Sequence, residues 1–382
     1  MILTKEEAYW SANKLVKFFD SFDRIDSYFR KRKIERIAKM PAPLFGLNPS
    51  DDLFQDWDMH PQDMEFEITK RPNEVFENLL EITASFTPDN PPGRVQKYCV
   101  QEKNSGKICG FIKMASPMIS INPRNEWLGR PIDGKNKEEI GRFNQSAIMG
   151  FIIVPAQPFG FNYLGGKLMA SICCSHDIRR RLNDKYGGPF CLFETTSLYG
   201  NIKGGSMYDG MRPYLKYKGD TISKLFLTFS DEVYFSMRDW FYKKNDGEPL
   251  ICPVTDAGTP ITGHKLRTQN KMISIITNSL KEHDTEAFEK FQEFKKRAGS
   301  ITTQKRFYSS TYGFENSREY FLGETDTLVK SDQWEKYELE NIIKWWKKKS
   351  TKRYENLIKE GRLRKKVEVW NTSNMEELDI IR

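Results

Sequence analysis

The sequence lacks the features that mark several large protein classes. No apolar run is long enough to cross a membrane, and residues 1–10 lack the apolar core of a signal peptide. We therefore expect a cytoplasmic protein without a membrane partner. The six cysteines are scattered and show no CxxC spacing, which indicates reduced thiols and argues against both a disulfide framework and structural zinc.

Common catalytic motifs are absent as well. There is no GxxxxGK[ST] loop, no GxGxxG fingerprint and no GxSxG elbow, which excludes an ATP P-loop, a Rossmann dinucleotide site and an α/β-hydrolase. Asp56, Asp58 and His60 alternate along the chain in the manner of metal ligands on a strand. An isolated trio of this kind is more often a surface feature, so we predict no metal site.

The positive charge is concentrated near the C-terminus. The net charge is +8, and residues 344–366 alone contain eleven Lys or Arg against two Glu, which leaves the remaining chain nearly neutral. Lysines neutralise phosphates and flat rings stack on unpaired bases, so this segment predicts contact with nucleic acid. The residues proposed for this contact are Trp345, Trp346, Lys347, Lys348, Lys349, Lys352 and Arg353. The alternative is a solvated helix whose tryptophans dock on the body of the protein.

Hydropathy patterns predict an α/β (α+β) fold with a mixed central sheet flanked by helices and with helical N- and C-terminal extensions. The predicted strands are residues 64–69, 97–103, 107–114, 147–154 and 190–196. Helices are predicted over residues 72–86, 163–175, 177–186, 232–244, 269–281, 286–297 and 333–360. We divide the chain into a helical extension (1–62), an α/β core (63–229) and a helical basic region (230–382).

A glycine-bearing bend follows the apolar strand 147–154 and precedes a helix. Glycines let the backbone approach a ligand closely, and free N–H groups at a helix start attract anions. We therefore predict a phosphate-bearing cofactor here, bound by Gln157, Gly160, Asn162, Gly165, Gly166 and Lys167. The alternative is a turn whose glycines only supply positive φ.

Residues 97–221 resemble the GNAT N-acyltransferase superfamily. The hairpin 97–114, the central strand 147–154 and the Q-x-x-G spacing of Gln157 and Gly160 carry the resemblance. It implies that the bend binds the pyrophosphate of acetyl-CoA, and that strand 190–196 diverges from the central strand to open an acceptor cleft. Asn162 stands where the family has Gly or Ala, which leaves another phosphate-bearing acyl donor open. Tyr208 matches the family's tyrosine, the proton donor to the leaving thiolate.

Acyl transfer to an amine also needs a base. Glu194 is the only carboxylate on strand 190–196, so we name it the candidate base; the alternative is a structural acid paired with an arginine. Arg124 and Glu126, in a polar loop, are candidates for reading the acceptor, with a surface ion pair as the alternative. Ser197 and Tyr199, two apart at the strand end, are candidates for facing the acceptor together.

Two narrower resemblances point to DNA. The run from Thr195 to Met211 is similar to phage Mom-type proteins, which modify adenine in DNA, and the order Gly110, Arg124, Gly129 is similar to DruA-type proteins of the Druantia anti-phage system. The leading hypothesis is a GNAT-like acyl- or aminoacyl-type transferase that modifies a base in phage or bacterial DNA. The alternatives are a non-catalytic DNA-binding protein on a degenerate form of that fold, and an acyltransferase for a small amine or a protein.

Overall fold

The computed structural model describes residues 1–22, 25–40, 49–87, 93–197, 205–221, 228–255, 258, 264–300, 305–371, 373, 377 and 378. Its helices are α1 (Lys5–Phe19), α2 (Ile25–Ile37), α3 (Asn73–Thr83), α4 (Asn122–Leu128), α5 (Lys137–Ser146), α6 (Phe159–Tyr163), α7 (Gly165–Cys173), α8 (His176–Tyr186), α9 (Asp231–Lys244), α10 (His264–His283), α11 (Thr285–Ser300), α12 (Ser317–Leu322) and α13 (Leu339–Lys359). Within the described ranges, none of these helices combines the length and the apolar character that a membrane span requires.

The strands are β1 (Phe66–Thr69), β2 (Val95–Glu102), β3 (Lys107–Ala115), β4 (Ala147–Pro155), β5 (Leu192–Ser197), β6 (Lys216–Asp220) and β7 (Arg306–Ser310). They form one seven-stranded sheet in the order β1-β2-β3-β4-β5-β7-β6. The pair β4–β5 is parallel, and every other neighbouring pair is antiparallel. This confirms the predicted mixed α/β fold class.

The chain divides into two compact units, and the division falls inside α2 between Arg32 and Lys33. The helical unit contains α1, α9, α10 and α11, and in it α10 packs against α1 and α11. The sheet unit contains all seven strands together with α3 to α8, α12 and α13.

These units differ from the three regions predicted from the sequence. Residues after 304 belong to the sheet unit, because β7 pairs with both β5 and β6. Residues 49–62 belong to it as well, since Leu53 forms a bridge to Ile108 of β3 and the Phe54 amide donates to the Ile108 carbonyl. The predicted boundaries at 62 and 229 therefore do not coincide with the compact units.

The core of the sheet unit surrounds β4. Ile148, Met149, Ile152 and Ile153 are all buried, as the apolar run predicts for a strand covered on both faces. Helix α7 packs over β3 and β4, and it is buried along nearly its whole length. The bend that links β4 to α7 is consequently surrounded by protein.

Candidate nucleic-acid interface and the bend after strand β4

Several backbone amides of the bend after β4 are bonded within the protein. The Gly160 amide donates to the Ala156 carbonyl (2.8 Å), Asn162 to the Pro158 carbonyl (2.8 Å) and Lys167 to the Leu164 carbonyl (3.0 Å). The Phe161 amide donates to Oε1 of Gln157 (3.1 Å). The two short helices α6 and α7 thus satisfy these donors, which the sequence-based prediction left free for a phosphate.

The C-terminal segment 360–371 covers the same bend. Nδ2 of the buried Asn162 donates to the Arg364 carbonyl (2.7 Å), and the Arg364 amide donates back to Oδ1 (3.1 Å). The Glu368 amide donates to the Gln157 carbonyl (3.0 Å). The Phe161 ring lies between two guanidinium groups, Arg364 at 3.9 Å and Arg353 at 4.7 Å from its centroid. Asn162, which stands where the sequence analysis expects a cofactor-binding glycine, therefore holds segment 360–371 against the bend.

The glycines of the bend serve close packing. None of the three has positive φ; the left-handed residue is Leu164, at φ 54°. A Cβ on Gly160 would lie 2.5 Å from the Gln157 side chain, and one on Gly165 would lie 2.6 Å from the Phe159 ring. On Gly166 it would meet the Met207 side chain at 2.7 Å. The interpretation that these glycines supply positive φ is therefore wrong, whereas close approach of a ligand stays a prediction.

Glu194 and Arg124 form a buried ion pair. Nη1 of Arg124 donates to Oε2 of Glu194 at 2.7 Å, and both side chains are fully buried. Arg124 also donates to the carbonyls of Met118 and Ile119, and its guanidinium lies over the Phe143 ring. Burial raises the pKa of the Glu194 carboxyl, and Arg124 opposes the rise. The structure thus shows the alternative interpretation at Glu194, a structural acid held by an arginine.

The other residues predicted to bind the acceptor substrate are not brought together by the structure. Arg124 and Glu126 lie on helix α4 instead of a loop, and two residues apart on a helix they face different sides, with Arg124 buried and Glu126 exposed. Neither the acceptor-reading pair nor the surface ion pair is present. Ser197 ends β5 half-buried, and Tyr199 lies outside the described residues.

Tyr208 is buried next to strands β5 and β7. Its ring contacts that of Tyr308 in an edge-to-face arrangement, and the Thr195 side chain hydrogen-bonds its hydroxyl. Burial is the main cause that raises the pKa of Tyr208, so the phenol keeps its proton more firmly than an exposed tyrosine does.

Strands β4 and β5 diverge next to Tyr208. Their pairing runs from Ala147–Leu192 to Gly150–Thr195, after which β4 pairs only with β3 and β5 only with β7. Phe151 is an extra residue of β4 at this point, since Ile152 faces Lys113 and Gly150 faces Met114. We call this divergence the fork.

Helix α13 presents lysines along one exposed side. Lys344, Lys348 and Lys352 follow each other at four-residue spacing, with Lys349 beside them, and all four are exposed. Among the described residues, these four have no ion-pair partner, whereas Arg362, Arg364 and Lys365 are paired with Glu360, Glu368 and Asp58. We call these four residues the lysine stripe.

The tryptophans of α13 do not share that side. Trp346 is fully buried against Phe66 and Phe159, so it cannot stack on a base, and this part of the sequence-based prediction is wrong. Trp345 is half-buried and packs edge-on against Tyr214. Lys347 and Arg353 are half-buried, donating to the carbonyls of Gln62 (2.7 Å) and Phe161 (3.3 Å). The alternative prediction, a helix whose tryptophans dock on the body of the protein, therefore describes both tryptophans, Lys347 and Arg353.

A polar cluster that the sequence did not reveal joins the stripe to the sheet. Asp209 accepts from Tyr308 (2.7 Å) and from Arg306 (2.9 Å), and Nζ of Lys167 donates to the Asp209 carbonyl (2.6 Å). Burial lowers the pKa of Lys167, and nearby Lys349 lowers it further. Arg306 and Tyr308 alternate with Phe307, a period-two signal on a strand too short to stand out.

At the predicted metal trio, Lys365 pairs with Asp58 (3.0 Å), and Oδ1 of Asp56 accepts the amides of Asp58 and Met59. No cluster of three or more potential ligand side chains occurs in the part of the chain that the structure describes. All six cysteines are free thiols, and Cys252 is the exposed one.

Comparison with known protein families gives a match over part of the chain. The model of the family described as Druantia protein DruA matches residues 60–241. No curated protein and no solved structure matches the chain. The matched segment contains β1 to β6, the bend, Arg124 and Asp209, whereas β7 and the lysine stripe lie beyond it. Over the greater part of its sheet, this chain is therefore similar to the DruA family.

Proposed function

We propose that this protein binds nucleic acid through the lysine stripe of α13 as a component of an anti-phage defence system. The observation that carries the proposal is the stripe itself, four exposed ammonium groups with no carboxylate partner among the described residues. Unpaired cations on a surface repel one another, and phosphate groups relieve that repulsion and release counterions.

The anchoring of α13 supports this role. The opposite side of the helix is buried through Ile342, Trp346, Tyr354 and Leu357. Little ordering entropy is then required when the lysines meet a ligand, because the helix that carries them is already fixed. From Lys344 to Lys352 the helix rises about 12 Å, which is roughly the length of three to four base pairs.

The defence part of the proposal rests on the DruA similarity of residues 60–241. Druantia is an anti-phage system, and foreign nucleic acid is what such a system must distinguish. DNA is the favoured ligand, with RNA as the outcome to be compared in the same assay.

Replacing Lys344, Lys348 and Lys352 together by Ala tests the stripe. We expect the affinity for a labelled DNA duplex to fall at least about tenfold. The slope of log affinity against log salt concentration should become shallower by about 0.9 for each phosphate contact removed. Fluorescence anisotropy over a salt series measures both quantities.

A matched control removes three exposed lysines of the helical unit, Lys271, Lys281 and Lys296, with the same change in net charge. We expect this control to bind like the parent. If both triple variants lose affinity equally, binding depends on net charge alone and the stripe is not the site.

The fork favours a second candidate function, acyl- or aminoacyl-type transfer to a base in DNA. The divergence of β4 and β5 beyond Gly150 and Thr195 supports it, and Tyr208 lies beside the fork as the candidate acid. The acyl donor would be acetyl-CoA or another phosphate-bearing compound. To reach the bend between Gln157 and Lys167, its phosphates would have to displace segment 360–371 and the internal bonds of that bend.

Mass spectrometry of nucleosides from DNA co-expressed with the protein tests this candidate. Transfer predicts a new nucleoside mass that disappears in Tyr208→Phe, a variant that keeps the ring packing and lacks the acidic proton. An unchanged nucleoside profile, together with no thermal shift from coenzyme A derivatives, would leave binding alone as the function.

A further inference from the structure

We propose that the bound nucleic acid is single-stranded where it crosses the outer edge of the sheet, and that Tyr217 of β6 stacks on one of its bases. This inference rests on the proposed function, since it names the substrate form and a second contact for the same interface. It replaces the tryptophans of α13, of which Trp346 is buried and Trp345 half-buried, with a ring that is exposed.

Tyr217 is suited to stacking by its exposure and its fixed position. The side chain is 50% exposed, although it lies in a strand of the sheet. Its hydroxyl donates to Oδ1 of Asp220 at 2.8 Å, which holds the ring against rotation. A ring that is already held loses little freedom when a base stacks on it, and such stacking tolerates any base.

A cation lies over this ring. The guanidinium of Arg306 lies 5.8 Å from the ring centroid. Asp209, the nearby carboxylate, is hydrogen-bonded by Arg306 and Tyr308. Ring and guanidinium together place a stacking platform beside a positive charge, the combination that single-strand binding sites use.

The ring and the lysine stripe belong to one continuous surface of the sheet unit. Lys349 of the stripe is close enough to Lys167 to lower its pKa, and Lys167 donates to the Asp209 carbonyl. Asp209 in turn binds Arg306, which lies over Tyr217. A strand whose phosphates follow the stripe therefore meets Tyr217 next.

A paired base hides its faces between neighbouring base pairs, so Tyr217 can stack only on an unpaired base. The ring consequently discriminates between forms of the ligand, whereas the lysines attract phosphates of either form.

Three variants measured against an oligothymidine and a duplex of equal length test the inference. We expect Tyr217→Ala to weaken oligothymidine binding about fivefold or more and to leave duplex binding within about twofold of the parent. Tyr217→Phe should lose less affinity for oligothymidine than Tyr217→Ala, because it keeps the ring and lacks only the hydrogen bond to Asp220. Tyr242→Ala, which removes an exposed tyrosine of the helical unit, should also have no effect.

Equal oligothymidine affinity for Tyr217→Ala and the parent would overturn the inference, and so would equal losses for both ligands. These outcomes differ from failure of the proposed function. In that case the substitution of Lys344, Lys348 and Lys352 leaves both affinities unchanged, whatever Tyr217→Ala does.

Discussion

At the scale of single residues, the Arg124–Glu194 pair shows how a candidate catalytic carboxylate becomes a structural one. Oε1 of Glu194 and Nε of Arg124 are buried without a hydrogen-bond partner, so the pair depends on the single contact between Nη1 and Oε2. Removing one member of such a pair leaves an uncompensated charge inside the protein. The pair therefore affects the stability of the protein most when one of its members is removed alone.

We expect Arg124→Ala to lower the free energy of unfolding by about 3–5 kcal/mol at neutral pH. Arg130→Ala is the matched control, since it removes a half-exposed arginine paired with Glu139 and should cost less than about 1 kcal/mol. Denaturant unfolding measures both. A loss for Arg124→Ala no larger than that of the control would contradict the structural role.

The same pair predicts a pH dependence. Burial raises the pKa of Glu194, so above its ordinary range the folded protein keeps a proton that the unfolded chain has released. The contribution of Glu194 to the free energy of unfolding is therefore present at acid pH, and it is lost as the pH rises through the raised pKa of this carboxyl.

Without Arg124 the pKa of Glu194 rises further, so the deficit of Arg124→Ala should shrink as the pH falls from neutral into the acid range. Arg124→Ala combined with Glu194→Gln carries no titrating group at this site, so its free energy of unfolding should lack the part of the pH dependence that Glu194 contributes. A constant deficit in the single variant would show that Glu194 does not titrate there.

At the scale of elements, the segment after α13 acts as a cover whose attachment depends on Asn162. We expect Asn162→Ala to remove both bonds to Arg364 and to raise the rate of tryptic cleavage within residues 362–366 roughly tenfold. Asn356→Ala, at an exposed position of α13, is the control and should be cleaved like the parent. Unchanged cleavage of Asn162→Ala would mean that other contacts hold the segment.

Element by element, local patterns predicted much of the sheet unit and little of its site. The hairpin β2–β3, the apolar β4 and the long α13 carry strong local signals, and the structure has all three. The burial of Trp346 beside the exposed Lys348 was not readable, because helical spacing tells which residues share a side but not which side meets the core. The stripe was predictable from the local density of lysines. The cluster around Asp209 was not, because its residues lie far apart in the sequence and only the fold brings them together.

At the scale of the whole molecule, the strand β7 explains why the predicted regions failed to match the compact units. RFYSS is five residues long and polar at alternate positions, and its partners β5 and β6 lie far upstream. Pairing over such a separation leaves no trace in local periodicity. The prediction of a mixed sheet succeeded, because it depended on the strands before residue 221.

The late position of β7 also has a consequence for biosynthesis. Between Asp220 and Arg306 lie 85 residues, so a ribosome adding about 5–20 residues per second needs roughly 4–17 s to deliver the last strand after β6. During that interval β6 has no neighbour in the sheet and β5 has only β4. Nascent chains are then vulnerable to mispairing with one another, and helices α9, α10 and α11 of the helical unit are translated within this same interval.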